Sequence, residues 1–515
     1  MTMPSRQPAT PGGRGAAAPL AEVPPADGPV VLDGHRLTLT DVRRVARSGV
    51  PVAVPADALE AMRRARAVVQ RVIDSGQPAY GLTTGVGVRK RNPITRPGHD
   101  DQVLRQHLIG QGPEVPPEVA RATALLLANS LARGVTAARP ELLVRVLDRL
   151  NAGWLPPIRL FGSIGQADLA PLADLAAGLF DDLPLAQGEA IAVLNHSAFA
   201  TGWAALAIAD ALDLVDALDL AGALDLEAYA AHPAVLDPVV AEVRRYPGLA
   251  RSRARIAALV AGSRITPRAL QDPLSFRNLP QINGAARDAL GFAAGQVEIE
   301  LNATQANPLV LADPDGPPGH GRVLSTGSCE VLPLAMALDI ARLALAPALT
   351  AAAERTVKLL QAPLTGLPEG LAARPGLAEC GLSEYGIAVQ ALVAEARLLV
   401  APVCLEVPSS TQAEGIEDRT TMAPLAARRL AELVDLGRRV VAIELTVAAQ
   451  ACDLRRRLGG GAPGDGSAVL LAAVRRRVRF VGAGDPLPDL EPLLRLVGAG
   501  LPGPGWTADG PEPAR

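Results

Sequence analysis

Residues 204–231 read AALAIADALDLVDALDLAGALDLEAYAA. Apolar side chains recur there at helical spacing, so the stretch predicts a long helix packed around most of its circumference. Asp213, Asp216 and Asp219 stand at i, i+3 and i+6, which places three carboxylates on one stripe. We read a central bundle helix with one solvated edge, in preference to a metal site. The same spacing recurs at Asp57–Ser75, Pro117–Arg133, Arg139–Ala152, Val331–Gln361, Ser383–Val403 and Ala423–Arg457. Strand-like alternation is scarce, confined to short pieces such as Val30–Leu39. The expected fold is therefore all-α, a loop-rich N-terminal region followed by a long-helix bundle.

Composition narrows the function. Of 515 residues 49% are apolar, and 50 basic against 53 acidic residues leave a formal net charge of −3. That balance argues against a protein that coats nucleic acid, because neutralising phosphates needs a basic excess. The aromatics are few, 4 Tyr, 6 Phe and 3 Trp, which excludes a base-stacking surface. Arginine runs at Arg455–Arg457 and Arg475–Arg479 lack interleaved aromatics and are expected to be solvated helix faces.

Residues 1–30 and 482–515 are biased to Pro, Gly and Ala and are expected to be a disordered arm and a tail. Between them we expect an active-site region over 31–203 and a helical-bundle domain over 204–481. Cys329, Cys380, Cys404 and Cys452 form no CxxC pair, so neither zinc nor a redox dithiol is expected, only reduced and mostly buried thiols. No apolar signal core opens the chain, and Val331–Leu349 is interrupted by Asp339 and Arg342. A cytoplasmic protein with no membrane partner is the expectation. Phosphate-loop, HExxH, GxSxG and EF-hand patterns are absent, and GGGAPGDG near residue 460 reads as a helix C-terminal loop.

What stands out are polar islands in apolar surroundings: AYGLTTGVG (79–87), FGSIGQADLAPLADLA (161–176), VLNHSAFATG (193–202), QDPLSFRNLPQ (271–281), ELNATQANPL (300–309) and STQAEGIEDRTTM (410–422). In this order they resemble the aromatic amino-acid ammonia-lyases, the family of histidine and phenylalanine ammonia-lyases and aromatic aminomutases. The first is similar to that family's YGINTGFG, the second to ASGDLAPLAHLA, the fourth to QDPYSLRxxPQ, the fifth to ExNSATDNPL and the last to NQEDHVSM. The resemblance spans roughly residues 31–460. It implies a fumarase/aspartase-like long-helix bundle, a homotetramer with active sites built from several subunits, and an electrophilic methylidene-imidazolone ring formed from an internal Ala-Ser-Gly.

At the ring position the chain departs from the pattern. Where the family has GSVGASGDLAPL, this sequence has Gly162-Ser163-Ile164-Gly165-Gln166-Ala167-Asp168 and is one residue shorter. Gln166-Ala167 offers no side chain that dehydrates to a methylidene and no flexible glycine nitrogen to close the ring, and Ser163 precedes β-branched Ile164. No ring, no metal and no other cofactor is therefore expected. The family's histidine-bearing loop is shortened here to Leu108–Pro117, with His107 expected on a helix surface. The tyrosine of QDPYS is Leu274, and the phenylalanine of GGNFHG is Cys329.

Other positions survive. Tyr80 matches the catalytic-base tyrosine, which at an ordinary pKa of about 10 needs helix N-termini or a cation to stabilise its phenolate. The plainer alternative is a tyrosine bonded to a loop carbonyl. Arg277 matches the arginine that clamps a substrate carboxylate, its alternative being an ion pair with Asp272 or with a neighbouring subunit. Asn195, Gln271 and Glu417 fall on polar pocket positions, where buried amides also serve to knit loops. Asp168, Asn302, Asn307 and Asp418 are assigned to loop scaffolding.

Three functions stay open on the sequence. One is a ring-independent lyase, isomerase or cyclase acting on a carboxylate-bearing or carbonyl-activated small molecule through Tyr80. Another is a conventional histidine-type ammonia-lyase. The third is a non-catalytic binding or scaffold protein.

Overall fold

The computed structural model describes residues 28–376, 378–405, 412–502, 506–507 and 510–511. Eighteen α-helices occur among them, with four two-stranded sheets. The N-terminal half carries α1 (Leu39–Ser48), α2 (Ala56–Ser75), α3 (His99–Gln106), α4 (Pro117–Ala132), α5 (Pro140–Asn151), α6 (Leu169–Leu179), α7 (Glu189–Leu194) and α8 (Ala198–Tyr229). There follow α9 (Val239–Glu242), α10 (Pro247–Val260), α11 (Leu274–Arg277), α12 (Leu279–Leu301), α13 (Leu332–Leu359) and α14 (Ala362–Thr365). The chain ends with α15 (Glu384–Leu398), α16 (Ala423–Arg457), α17 (Asp465–Arg475) and α18 (Glu491–Ala499).

The expected helices are present, and tertiary bonds set their ends. Helix α15 stops at Leu398 rather than Val403. Arg342 of α13 donates to the Leu399 and Ala401 carbonyls, and Asp339 accepts the Val403 and Cys404 N–H groups, which peels the last turn away. Of Val30–Leu39 only Val30–Val31 is a strand, paired in parallel with Val52–Ala53. Thr38 and Asp41 form a reciprocal capping box that starts α1 at Leu39. Residues 1–27, most of the expected arm, lie outside the described residues. The expected tail from 482 instead contains α18, which buries Leu493 and Val497.

Helix α8 runs along α16; α13 packs on α16 and α12, and α12 on α10 and α8. Helix α8 straddles the expected boundary at residue 204, so the described chain has no break there. Ala supplies much of the contact, letting helices approach closely. The expected solvated edge of α8 holds only in part, for Asp213 and Asp216 are half-exposed but Asp219 is not. Asp219 is fully buried, accepting from Asn283 at 2.9 Å and Arg287 at 2.7 Å. Asp216 pairs with Arg287 at 2.7 Å and Asp213 with Arg43 at 2.8 Å. The stripe is a docking line for arginines of α12 and α1. Deeper still, Arg355 of α13 bonds Asp225 of α8 at 2.7 Å and Glu444 of α16 at 2.5 Å, with all three side chains buried.

The arginine runs are only partly solvated. Arg455 is buried and donates to the Ala228 carbonyl at the C-terminus of α8, and Arg475 pairs with Asp453 at 2.8 Å. Of the four thiols only Cys452 is buried, while Cys380 is exposed. Among the described residues two stretches are long and apolar enough to cross a membrane, but 89% of the apolar window in Glu189–Tyr229 and 56% of that in Leu332–Leu359 are buried within the chain.

Candidate functional site

A cavity of about 690 Å3 opens beside Tyr80. Its walls come from loops that the helices hold in place. The first loop is a tight turn in which the Ala79 carbonyl accepts the N–H groups of Leu82, Thr83 and Thr84. Gly81 makes the turn at φ +68°, and a Cβ there would lie 2.6 Å from Ile191 of α7, so only glycine fits. The Tyr80 hydroxyl accepts the Gly87 N–H at 3.1 Å. Burial, then the charges of Glu417 and Cys329, push its pKa above the usual range, with the Gly87 bond acting against them. That N–H opens a one-turn 3-10 helix, Gly87–Arg89, so the hydroxyl meets a short helix terminus, while no cation bonded to it is found among the described residues; the partner is an N–H group, not a loop carbonyl.

The second wall follows α7. Asn195, at its C-terminal end, donates to the Asn307 carbonyl at 2.7 Å, and Asn307 Oδ1 accepts the Thr326 N–H at 2.8 Å. These bonds tie three loops together, so Asn195 both lines the cavity and knits its frame. Cys329 lines the same wall and is half-buried, its thiol pKa raised by burial. Glu417 and Asp418 face the cavity from the loop before α16. Lys90 reaches Glu414 of that loop at 3.2 Å, joining it to the Tyr80 side.

The third wall is Ser163–Asp168. Ser163 Oγ donates to Asp168 Oδ1 at 2.6 Å and accepts the Gly165 N–H at 3.1 Å. The buried Asp168, its pKa raised to about 6 by burial, also accepts the Ala200 N–H at 2.8 Å. Thr421 Oγ1 donates to the Gly165 carbonyl at 2.6 Å. Ala167 is held at φ +60°, a strained left-handed conformation for a residue with a side chain. The loop thereby sets Gln166 in the cavity wall, where its Nε2 donates to Glu330 Oε2 at 2.8 Å.

These residues do not fit a methylidene-imidazolone ring. Neither position 166 nor 167 has a hydroxyl to lose, and the Ser163 hydroxyl is committed to Asp168 and Gly165. Sequence reasoning also missed cavity residues. His107, expected on a helix surface, lines the cavity together with His99 and Arg89, its Nδ1 2.8 Å from the Val103 carbonyl. Its place just before the shortened loop was the available signal. Gln166 and Arg419 were signalled only as polar residues inside the odd motifs, and Glu330 only by its place after Cys329.

Gln271, Leu274 and Arg277 lie elsewhere. None lines the Tyr80 cavity; Leu274 is 59% exposed, and the three sit on and before the one-turn α11. That turn is anchored by Phe276 stacked on Tyr229, ring centroids 4.2 Å apart, and by Arg355 donating to the Ser275 carbonyl at 3.3 Å. Asp272 accepts the His232 N–H at 2.6 Å rather than pairing with Arg277, whose buried Nε has no partner among the described residues. Asn302 bonds both backbone groups of Leu37 at 2.8 Å, as a scaffold residue does.

The profile of the aromatic amino acid lyase family matches residues 37–181 and 178–476. A histidine ammonia-lyase of Gloeobacter violaceus is 34% identical over 509 residues, covering 92% of this chain and 96% of that protein. Among solved structures, the ergothioneine-degrading ergothionase of Treponema denticola superposes with a TM-score of 0.83 at 26% identity, over 91% of this chain and 98% of its own. The tyrosine aminomutase of Streptomyces globisporus gives 0.82 at 28%, over 92% and 96%. With its helical bundle and its ordered site loops, the chain belongs to the aromatic amino acid lyase family.

Proposed function

We propose that this protein is a carbon–nitrogen lyase acting on an imidazole-bearing α-amino acid, with Tyr80 as its acid/base group. The observation that carries the reading is the convergence of Tyr80, Asn195 and Glu417 on one cavity in a chain whose relatives are named histidine ammonia-lyases. In the reaction the phenolate takes the β-proton, the Cα–N bond breaks, the amine departs with its electron pair, and a conjugated acrylate remains. Amide dipoles of the loop walls stabilise charge that develops on the substrate.

The leaving group is the point at issue. The relatives' name supports L-histidine and ammonia. Gln166-Ala167 at the ring position favours instead a substrate that brings its own activation. An α-ammonium loses N–H before C–H to any base, whereas a quaternary nitrogen has no N–H to lose and leaves as a neutral amine. Ergothioneine, named for the Treponema denticola neighbour, carries such a nitrogen on an imidazole-derived skeleton. Isomerisation or ring closure by conjugate addition would use the same base, and product mass separates them.

The assembly belongs to the same proposal. Phe292 and Ile299 of α12, and Met336, Ile340 and Leu343 of α13, leave apolar surface exposed on the bundle. Ser275 Oγ, Arg277 Nε and Gln281 Oε1 are buried without partners among the described residues. Both features support a homotetramer in which Gln271, Leu274 and the Arg277 carboxylate clamp complete the Tyr80 cavity of another copy. Light scattering on the purified protein tests it, and a monomer refutes it.

Purified wild type and Tyr80→Phe are assayed with L-histidine and with ergothioneine for the absorbance of the conjugated product, and the intact mass is measured. Turnover of L-histidine by a chain lighter by two waters supports the conventional reaction. Turnover of ergothioneine at unmodified mass supports the self-activated one. Wild type and Tyr80→Phe that are equally active, or equally inert, refute the lyase reading.

A further inference from the structure

Two departures from the family motifs, separated by 164 residues in sequence, meet in space. Gln166 stands in the segment similar to ASGDLAPL, and Glu330 follows Cys329 where GGNFHG has histidine. Their backbones form an isolated antiparallel bridge, and their side chains are bonded at 2.8 Å. Arg419 Nε adds a bond to the same carboxylate oxygen at 3.3 Å, and Glu330 Oε1 accepts the Leu332 N–H at 3.0 Å. Independent decay of two motifs does not produce a fitted amide–carboxylate pair braced at four points.

The pair also has a direction. A carboxylate only accepts, so Glu330 fixes the amide nitrogen of Gln166 toward itself. Gln166 Oε1 is left with the long, weak thiol contact from Cys329 at 3.9 Å among the described residues. Both residues line the Tyr80 cavity. The bonds of Ser163 to Asp168 and of Thr421 to Gly165 keep the loop from relaxing away although Ala167 is strained. Where the family presents an electrophile, this chain presents a fixed hydrogen-bond acceptor.

We propose that Gln166, oriented by Glu330, is the specificity-determining residue of the cavity, its Oε1 accepting a hydrogen bond from a ring N–H of the substrate. This rests on the imidazole reading above, and it requires binding rather than turnover. The wall then selects a donor-bearing heterocycle over a carbocycle or thiophene of the same size. A site built to bond a donor discriminates strongly against the analogue that lacks it.

The test is calorimetric titration of the full-length protein with imidazolepropionate and thiophenepropionate, which share a carboxylate and a five-membered ring but differ in the N–H. Wild type should prefer imidazolepropionate about tenfold, the equivalent of one hydrogen bond of about 1.4 kcal/mol. Gln166→Met, similar in length without the acceptor, should bring the ratio to about one. Glu330→Gln, which frees the amide to turn over, should reduce it severalfold and carries the test alone if Gln166→Met does not fold. A preference unchanged in these variants overturns the proposal while leaving the lyase reading intact. Wild type that binds both probes equally overturns it as well, and wild type that binds neither overturns the imidazole reading with it.

Discussion

Replacing Arg355 by methionine tests the central bundle most directly. Its side chain and those of Asp225 and Glu444 are fully buried, with bonds of 2.7 Å to Asp225 and 2.5 Å to Glu444. The substitution keeps an unbranched apolar stem and leaves two carboxylates facing each other out of water. Breaking a buried pair in this way costs about 3–5 kcal/mol. Unfolding entropy of about 2.1 cal/mol/K per residue over a 515-residue chain is about 1.1 kcal/mol/K, so Tm should fall by about 3–5 °C. The loss should depend on pH. Burial foremost, then the charge of Glu444, raises the Asp225 pKa well above its ordinary value, with Arg355 opposing. A carboxyl group raised in the folded state stabilises fully below the unfolded carboxylate range, and that stability is lost as pH rises through the folded value. Removing Arg355 removes the opposing term, so the deficit should widen from acid to alkaline pH, and adding Asp225→Asn should recover part of it. Calorimetry at fixed protein concentration, needed because assembly shifts Tm, is the assay. A Tm within one degree of wild type at alkaline pH, or a deficit flat with pH, refutes the reasoning.

Three other perturbations have defined outcomes. Gly165→Ala puts a Cβ 2.2 Å from Thr421 Oγ1 at φ +79° and should cost about 2–4 kcal/mol, read as a Tm drop of a few degrees; wild-type stability would show that the loop is slack. Because the Glu417 charge helps to raise the Tyr80 pKa, Glu417→Gln should move the alkaline-rising limb of kcat/KM to lower pH, and a limb that stays in place contradicts the assignment. His196 is buried with neither ring nitrogen bonded among the described residues, and burial lowers its pKa from 6.5 to about 4. The unfolded chain therefore takes up a proton first, and stability should fall between pH 6.5 and 4. His196→Phe should flatten that limb in thermal melts, and an unchanged slope would assign the acid sensitivity elsewhere.

How much of this was legible in the sequence depends on the range of the interaction concerned. Helical spacing is local, and it placed α2, α4, α5, α8, α13, α15 and α16 because Ala and Leu repeat with the period of the backbone itself. Helix ends are less local: the last turn of α15 is undone by Asp339 and Arg342 of α13, about sixty residues away. The aspartate stripe of α8 shows the limit. A solvated and a buried carboxylate look alike at that spacing, and only Arg287 and Asn283, 68 and 64 residues further on, decide that Asp219 is buried.

The site divides along the same line. Tyr80, Asn195 and Glu417 were legible because each sits in a polar island that no apolar core would tolerate without a purpose, and Cys329 because it stands at the phenylalanine of GGNFHG; the chain brings all four to one cavity. Gln271, Leu274 and Arg277 were legible by the same sign, yet α11 holds them away from that cavity, since the turn is fixed to Tyr229 and Arg355 of the bundle. In the proposed homotetramer a second copy supplies them, and motif matching is blind to which copy supplies which residue. Gln166 is the converse case. In the sequence it registers as the loss of a triad, because a letter in the wrong place carries no sign of what it does instead. It acquires a meaning only beside Glu330, for a carboxylate at 2.8 Å claims the nitrogen end of the amide and leaves the oxygen as the acceptor on which the proposal rests.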